Sequence, residues 1–305
     1  MAFTPSGAES AAVVARARTR PGLVSTIVVL FKLRVVSLLL FAAFGGAMIG
    51  SAGAPALGDL IVLLLTGTMS AAGASAINQY LERYKDSAMK RTSRRPLVTG
   101  EVNAALVLTI AIGLIAASLG IALAVGNPAL AFFLGLGAFI YVGIYTIWLK
   151  PRSVLNVVIG GAAGSAAVLS GGAAVHQWTD PGVLILSLLL FTWSPTHFWS
   201  LALAYRADYQ RAGVPMLPVV VSPGQAIFWM LAHMAATAIF GLLLAAHSAM
   251  GVVYLIPVLL ITLWLARESI RLIHEYTGKQ AMNVFKVSNI YLSVVLLAIC
   301  VAALV

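Results

Sequence analysis

The sequence predicts an all-α polytopic membrane protein with nine transmembrane helices. Apolar residues make up 61% of the 305 residues and charged residues only 9%, whereas soluble proteins have roughly 25% charged residues. The chain contains nine apolar runs, each near the ~20 residues that cross the hydrocarbon core of a bilayer. Every Lys and Arg falls in the N-terminal segment, in alternate connections between these runs, or in the ends of the runs that adjoin them.

Residues 1–22 are polar and rich in small residues, and they contain three arginines before any apolar run. They lack the small-residue cleavage site of a signal peptide, so we expect a cytoplasmic tail; a basic transit peptide is the alternative. We expect residues 23–305 to form a single membrane-embedded domain. The nine runs lie at about 27–50, 57–81, 103–125, 128–149, 154–175, 181–204, 224–246, 250–272 and 284–304.

The distribution of basic residues predicts how the chain is oriented. The tail and the start of the first run hold five Lys and Arg, and the connection after the second run holds six. The connections after the fourth and sixth runs hold two each, and the one after the eighth holds four, which accounts for all nineteen. By the positive-inside rule, the N-terminus is cytoplasmic and the C-terminus lies outside the cell membrane. The net charge of +10 is therefore a topology signal and requires no nucleic-acid partner.

A hydrophilic stretch at residues 78–100 follows the second apolar run. Asn78, Glu82 and Asp86 are four residues apart, so on a helix they form one polar ridge. Carboxylates in a row suit a hard divalent cation such as Mg²⁺, and basic side chains suit phosphate oxygens. The stretch therefore predicts a metal-bridged diphosphate site, and the alternative is a solvated cytoplasmic loop. Its basic residues are Arg83, Lys85, Lys90, Arg91, Arg94 and Arg95.

A second polar cluster begins inside the sixth run and continues into the following connection. His197 lies within the run, where a polar residue is costly unless it faces protein or a cavity. His197 is either a buried histidine hydrogen-bonded to a neighbouring helix, or it has a ligand-contact or proton-transfer role. Asp208 and Arg211 follow on the cytoplasmic side, where Asp208 could be a second metal ligand or part of an interfacial ion pair.

The start of the fifth run also has polar residues on the cytoplasmic side. Lys150, Arg152 and Asn156 stand there. Basic side chains at a helix end can extend to the interface and anchor the span. They can equally contact a phosphate group, and the sequence favours neither interpretation.

Three segments together resemble a known family. The pattern N-x-x-x-E-x-x-x-D-x-x-M-x-R-T-x-x-R-P at residues 78–96 is similar to the first signature of the protohaem IX farnesyltransferases, a branch of the UbiA-type intramembrane prenyltransferases. Residues 145–164 resemble the middle segment of that family. Residues 195–199 and 208–220, which include the sequence AGVPMLPVV, resemble its second signature. The match extends from about Lys32 to Val220. The last three runs resemble the family only in their apolar character.

This resemblance implies a helical bundle around a central cavity that opens to the cytoplasmic side and to lipid. It implies Mg²⁺-assisted transfer of farnesyl from farnesyl diphosphate to a vinyl group of haem b, giving haem O. Haem A synthase or the terminal oxidase assembly would be downstream partners. The implied catalytic and metal-binding residues are Asn78, Glu82, Asp86 and Asp208. The implied diphosphate contacts are Arg83, Lys90, Arg91, Arg95, Lys150 and Arg211, and the implied haem contacts are His197, Trp199 and Asn156. Aromatic residues that could stabilise a cation are Tyr80, Tyr84, Tyr145, Trp199 and Tyr205.

The sequence departs from the family pattern at three places. Glu82 stands where the first carboxylate is usually Asp, and Leu33 interrupts the usual Lys-Pro-Arg near the first run. Ala167-Val168 replaces an expected Pro-Pro pair, which puts the local helix break there in question.

Two other functions are compatible with parts of the sequence. A prenyltransferase for another aromatic acceptor, such as a quinone precursor, would need the same diphosphate site. A transporter would place ionisable residues near the middle of the membrane and would show inverted halves. Here the acidic clusters lie near one membrane interface, and nine runs do not divide into two equal halves.

Overall fold

The computed structural model describes residues 22–305, and this part of the chain is built from helices. Nine of its helices are long and apolar enough to span a membrane, which confirms the predicted all-α polytopic fold. They are α1 Leu33–Gly50, α2 Leu57–Ser87, α3 Ala104–Ala124, α4 Pro128–Leu149, α5 Asn156–Ala174, α6 Pro181–Ala204, α7 Pro223–Ala246, α8 Gly251–His274 and α9 Gly278–Ala303. The predicted cytoplasmic tail lies, except for Gly22, outside the described residues.

The helix starts are encoded by side chains that cap the first turn. An Asn, Asp, Ser or Thr side chain accepts a hydrogen bond from a backbone N–H group in the first turn of each of five spanning helices, which satisfies a donor that has no partner within the helix. In α4, α6 and α7 a proline follows directly, where its missing N–H group costs nothing. The five capping residues are Asn103, Asn127, Asp180, Ser222 and Thr277.

Three helix boundaries differ from the hydropathy prediction. A short helix, Leu23–Leu30, precedes α1, and Lys32 between them has a left-handed backbone with a φ of 50°. The first spanning helix therefore begins at Leu33 and not near residue 27. In α2 and α9 the helix continues through polar residues beyond the apolar run, because hydrogen bonding and not hydropathy sets helix length. Consequently, Glu82 and Asp86 are helical.

The second half of α4 is a π-helix at Ile140–Leu149. The Lys150 N–H group donates to the Tyr145 carbonyl at 2.8 Å, and the Thr146 hydroxyl donates to the Tyr141 carbonyl at 2.7 Å. The wider i to i+5 turn is frequently found at functional sites. Here it places Tyr141 and Tyr145 on the same wall of the cavity described below.

Small residues let α1 and α5 approach until their backbones touch. A Cβ atom added to Gly171 would lie 1.8 Å from the Ala43 carbonyl oxygen, and one added to Gly46 would lie 2.3 Å from the Val168 carbonyl oxygen. Such close helix contacts are typical of small-residue interfaces in membranes. α5 has no break at Ala167-Val168, since the helical segment runs from Ala162 to Ala174.

The core consists of two large apolar clusters on either side of a cavity. One cluster contains residues of α6, α7, α8 and α9 together with parts of α1 and α5. The other contains residues of α1, α2, α3, α4 and α5. Between them lies a cavity of about 530 Å³. Residues from α1, α2, α4, α5, α6 and α9 line it, while α3, α7 and α8 contribute none. The bundle thus encloses a site within the described residues.

Candidate active site

The wall of the cavity formed by α2 changes from polar to small and apolar along its length. Asn78, Glu82 and Asp86 line one end, as the helical ridge predicted. Toward the other end, the wall consists of Gly67, Ser70, Ala71, Ala74 and Ser75. These positions recur at three- and four-residue intervals, which places them on one face of the helix.

The two carboxylates of α2 are buried, and each has a cationic partner. Glu82 forms an ion pair with Lys150, and Asp86 forms one with Arg95. The carboxylate side chains are only 10% and 8% exposed. Buried charges persist only when they are paired or bind another charged group. The pairing therefore compensates both carboxylates at the cavity wall.

Asn78 is fixed in one orientation by two side chains. Its Oδ1 accepts a hydrogen bond from Lys32 Nζ at 2.5 Å, and its Nδ2 donates to the Thr146 hydroxyl at 2.9 Å. Lys32 Nζ also donates to the Tyr141 hydroxyl at 3.0 Å. From the sequence, Lys32 was used only to predict the orientation in the membrane. In the structure it is the left-handed residue between the short helix and α1, and its side chain lines the cavity.

The electrostatic surroundings of Lys32 and Lys150, two of the lysines that line the cavity, differ. Burial, aided by the nearby charge of Arg95, lowers the pKa of Lys32 to about 7. Burial also acts against the charge of Lys150, but Tyr145 and the paired Glu82 outweigh it, and the pKa of Lys150 is raised above its ordinary value. Lys150 is therefore always positively charged in this site. The charge of Lys32, in contrast, depends on the groups that lie next to it.

Cationic side chains outnumber carboxylates at the polar end of the cavity. Two carboxylates, Glu82 and Asp86, line it. The cationic residues that line it are Lys32, Arg34, Lys85, Arg91, Arg95 and Lys150. Such an excess of positive charge in a low-dielectric cleft attracts a polyanion.

Several residues predicted to contact the diphosphate lie outside the cavity. Arg83 donates to the Tyr80 carbonyl and stacks on the rings of Tyr80 and Tyr84 at 4.3 and 4.4 Å. Lys90 is exposed to solvent. Neither lines the cavity, in contrast to Arg91, Arg95 and Lys150.

The second polar cluster meets the cavity through a different residue from the one predicted. Asp208 and Arg211 form an ion pair with each other on the short helix Arg206–Arg211, and neither lines the cavity. Tyr209, on the same helix, lines it together with Val214. The geometry thus does not bring Asp208 to the carboxylates of α2.

His197 lines the same cavity and is almost fully buried. Its ring lies between Trp193 and Phe285, with ring centroids 4.4 and 4.5 Å apart. Its Nδ1 is 3.0 Å from the Ser288 hydroxyl oxygen. The sequence singled out His197 but not Trp193, Phe285 or Ser288, because two of these partners lie about 90 residues away in α9.

The other two predicted haem contacts do not line the cavity. Trp199 is buried, packs edge-on against His233 at 5.3 Å, and its Nε1 has no partner among the described residues. Two residues along a helix turn a side chain by about 200°, so Trp199 faces away from His197. Asn156 is buried and donates to the carbonyls of Ser153 and Pro215 at 2.5 and 3.4 Å.

Of the aromatic residues considered for cation stabilisation, only Tyr145 lines the cavity. It stacks on Tyr141, which the sequence did not indicate, with centroids 5.8 Å apart and planes 8° from parallel. Tyr80, Tyr84 and Tyr205 are not on the cavity wall. The π-helix is what brings the two stacked rings to the polar end.

The donor set at the polar end fits a magnesium ion that also binds phosphate. Asn78 supplies an amide oxygen, and Glu82 and Asp86 supply carboxylates. Within residues 22–305 there is no group of three His, Cys, Asp or Glu side chains that would hold a metal alone. Mg²⁺ is usually bound by one or two carboxylates together with substrate phosphates and water, so a self-sufficient cage is not needed.

The fold and this site define an intramembrane prenyltransferase. The model of the UbiA prenyltransferase family matches residues 38–290, and the chain belongs to this family.

Curated relatives narrow the comparison to one branch. The chain is 39% identical to the protoheme IX farnesyltransferase of Metallosphaera sedula, over 90% of this chain and 95% of that protein. It is 40% identical to the protoheme IX farnesyltransferase of Sulfurisphaera tokodaii, over 90% of this chain and 92% of that protein. Protoheme IX farnesyltransferase 2 of Paramagnetospirillum magneticum is 39% identical, with 90% and 95% coverage.

Solved structures of low sequence identity share the fold. A digeranylgeranylglyceryl phosphate synthase matches with a TM-score of 0.77 at 18% identity, over 92% of this chain and 98% of that one. An apo UbiA homologue from Aeropyrum pernix K1 matches with a TM-score of 0.69 at 20% identity, over 88% and 96%. A UbiA homologue from Archaeoglobus fulgidus bound to GPP and Mg²⁺ matches with a TM-score of 0.59 at 19% identity, over 90% and 99%.

Proposed function

We propose that this protein transfers the farnesyl group of farnesyl diphosphate to a vinyl group of haem b, producing haem O. The observation that supports it most is that a single cavity is lined by cationic residues with two buried carboxylates and also by His197 with large apolar residues. The curated relatives at about 40% identity, all named as protoheme IX farnesyltransferases, supply the choice of substrates.

The diphosphate would bind at the polar end of the cavity. Lys32, Arg91, Arg95 and Lys150 line this end and can donate to phosphate oxygens. In the structure, two of these cations are paired with Glu82 and Asp86. When the diphosphate binds, it would take over these cations, and the freed carboxylates would be available to a metal.

Asn78, Glu82 and Asp86 would hold Mg²⁺, as their oxygen atoms and spacing on α2 allow. The metal would neutralise the charge that develops on the leaving diphosphate. The Archaeoglobus fulgidus homologue solved with GPP and Mg²⁺ has the same fold, which supports the choice of ion. Asp208 was predicted as a further ligand; in the structure it pairs with Arg211 and does not line the cavity, so we assign it no metal contact in this conformation.

The reaction would proceed by ionisation of the allylic carbon–oxygen bond. The electron pair of that bond leaves with the diphosphate, which Lys150 and Arg95 stabilise by charge. The stacked rings of Tyr141 and Tyr145 face the same end and can stabilise the allylic cation. The vinyl carbon of haem b then forms the new carbon–carbon bond, and water adds to the resulting cation with release of a proton.

The farnesyl chain would lie along the small-residue face of α2. Fifteen residues separate Gly67 from Glu82, which corresponds to about 22 Å at 1.5 Å per residue. Residues of this face have no side chain longer than that of serine between Gly67 and Ser75. The resulting groove is long enough for a fifteen-carbon chain that starts at the diphosphate end.

The porphyrin would occupy the part of the cavity next to His197. Nearby wall residues are large and apolar, such as Trp193, Phe198 and Leu292. His197 is proposed to contact haem iron or to position the water that adds. Trp199 and Asn156, which do not line the cavity, would act only through residues that pack on them.

The protein is a multi-pass membrane protein, and we place it in the cell membrane with a cytoplasmic N-terminus. The basis is the alternation of all Lys and Arg residues between connections. This orientation would open the polar end of the cavity to the cytoplasm and its apolar walls to lipid. Haem A synthase or the terminal oxidase assembly would receive the product.

One assay tests the function. Purified full-length protein is incubated with farnesyl diphosphate, haem b and Mg²⁺, and the haem product is identified by mass. We expect a product heavier than haem b by one farnesyl group and one hydroxyl group, with release of diphosphate and a proton. Prenylation of a quinone precursor but not of haem b would favour the other acceptor class. No product with any acceptor, together with substrate flux across vesicles, would favour a transporter.

A further inference from the structure

We propose that Ser288 on α9 fixes the tautomer of His197, so that the Nε2 atom presents a lone pair to the cavity as a ligand for haem iron. The inference deepens the proposed function and rests on it for the identity of the ligand. Ser288 would be a positioning residue, since it acts through His197. The observations that support it are hydrogen bonds and ring contacts between α6 and α9.

The first step concerns the hydroxyl hydrogen of Ser288. Ser288 Oγ donates to the Phe285 carbonyl at 2.8 Å, an acceptor that it shares with the Asn289 amide. A hydroxyl group has one hydrogen to donate and two lone pairs to accept with. The contact of 3.0 Å to His197 Nδ1 is then a bond in which Nδ1–H donates and Ser288 accepts.

The second step follows from the chemistry of imidazole. A neutral imidazole has a hydrogen on one ring nitrogen only, so an Nδ1–H group leaves Nε2 bare. The Nε2 atom of His197 has no hydrogen-bond partner within residues 22–305. It is still accessible, and the His197 side chain lines the cavity. A bare, accessible imidazole nitrogen is the usual protein ligand of haem iron.

The third step is that the ring cannot easily turn over. Trp193 stacks on one face of His197 at 4.4 Å with planes 22° apart, and Phe285 packs at 4.5 Å. Trp193 is itself held, because its Nε1 donates to the Ser288 backbone carbonyl at 2.8 Å. Ser288 therefore fixes both the ring nitrogen and the neighbouring aromatic plane. In metal sites, such partners of a ligating histidine determine its tautomer and strengthen its binding.

The direct test measures the tautomer without haem. Full-length protein labelled with ¹⁵N-histidine is compared with His197→Ala to assign the His197 signals. We expect Nδ1 to have the shift of a protonated ring nitrogen and Nε2 that of a bare one. The opposite pattern, in which Ser288 donates to Nδ1 and Nε2 bears the hydrogen, would overturn the proposal whatever the protein does with haem.

The second test follows haem binding through the Soret band. We expect Ser288→Ala to weaken haem affinity roughly tenfold, as loss of an outer partner does at metal sites, with unchanged affinity for farnesyl diphosphate. Ser288→Thr, which keeps the hydroxyl, should restore the spectrum. The matched control is Ser293→Ala on the same helix, whose hydroxyl donates only to the Asn289 carbonyl. This variant should bind haem like the unmodified protein.

The outcomes separate this inference from the function on which it rests. If His197→Ala loses the histidine-ligated spectrum while Ser288→Ala retains it, the tautomer proposal fails and the proposed function stands. If Ser288→Ala weakens both substrates equally and lowers the melting temperature, Ser288 is only a packing residue. If the unmodified protein neither binds nor farnesylates haem b, the proposed function fails.

Discussion

At the scale of single residues, the candidate site consists of charges that stabilise one another in a buried place. Glu82 and Asp86 are buried at the cavity wall, where Lys150 and Arg95 compensate them. Such pairs are costly to form, and removing one partner leaves an uncompensated charge. These residues are therefore better explained by a charged ligand that exchanges partners with them than by stability.

Asp86→Asn should reduce turnover roughly 100-fold or more, because a neutral amide no longer neutralises Arg95 or binds the metal. The chain should still fold, because asparagine has the size of aspartate and its amide oxygen can still accept a hydrogen bond from Arg95. Product formation at saturating Mg²⁺ is the measurement. Asp59→Asn, in the first turn of the same helix and away from the cavity, is the control and should keep full activity. Full activity of Asp86→Asn would refute its role.

Asp208→Asn should reduce turnover far less than Asp86→Asn does, because Asp208 pairs with Arg211 outside the cavity. A role of Asp208 as a metal ligand, which the family resemblance implies, would instead give a loss as large as that of Asp86→Asn. Rates measured side by side over a range of Mg²⁺ concentrations decide between the two expectations. An equally large loss in Asp208→Asn would mean that the helix Arg206–Arg211 moves toward α2 when substrate binds.

Lys32→Met should raise the KM for farnesyl diphosphate roughly tenfold or more, because a charge-assisted hydrogen bond to phosphate is lost. The measurement is the initial rate over a range of farnesyl diphosphate concentrations. Lys279→Met removes an exposed lysine from the start of α9 and is the matched control. An unchanged KM in Lys32→Met would limit Lys32 to orienting Asn78, with which it forms a 2.5 Å hydrogen bond.

At the scale of helices, periodicity predicted the α2 ridge but not its partners. Asn78, Glu82 and Asp86 could be placed together because four-residue spacing on a helix fixes their direction. Lys32 and Tyr141 could not, since they are 46 and 109 residues apart from their partners in the network. The π-helix of α4 also has no signal in its apolar sequence. Contacts between distant segments and local changes of helical pitch depend on packing, which hydropathy does not encode.

The groove along α2 predicts a change in chain-length preference. Ala71→Phe would place a ring on the small-residue face, about 10 Å along the helix from Asn78. We expect loss of activity with farnesyl diphosphate and retained or increased activity with geranyl diphosphate. Competition between the two diphosphates, with products identified by mass, is the measurement. Leu65→Phe, on the exposed face of the same helix, is the control. An unchanged preference in Ala71→Phe would place the chain elsewhere.

At the scale of the whole molecule, the sequence predicted the number of helices well and their roles poorly. Nine apolar runs became nine helices within residues 22–305, because span length is set by the thickness of the bilayer. The last three runs gave no functional signal. In the structure, α9 lines the cavity through Phe285, Asn289 and Leu292, while α7 and α8 do not. The packing of the bundle determines which helix lines the cavity. Since helices that line it and helices that do not are both apolar, hydropathy does not distinguish them.

The orientation in the membrane can be tested across one helix. Thr179 and Gln210 are exposed and flank α6 on its two sides. By the positive-inside rule, Gln210 lies on the cytoplasmic side with Arg206 and Arg211, and Thr179 lies outside. The single natural cysteine, Cys300, can be replaced by serine first. Because the two positions are separated by one crossing, an impermeant label must distinguish them if α6 spans the membrane.

In sealed right-side-out vesicles, a membrane-impermeant maleimide should therefore label Thr179→Cys and not Gln210→Cys. Lysis with detergent should make both positions reactive, which shows that each cysteine is accessible. Labelling of Gln210→Cys alone would mean that the bundle is inverted and that the diphosphate end lies outside the cell, which contradicts the proposed opening of that end to the cytoplasm. Labelling of both before lysis would mean that α6 does not cross, and with it the nine-span topology would fail.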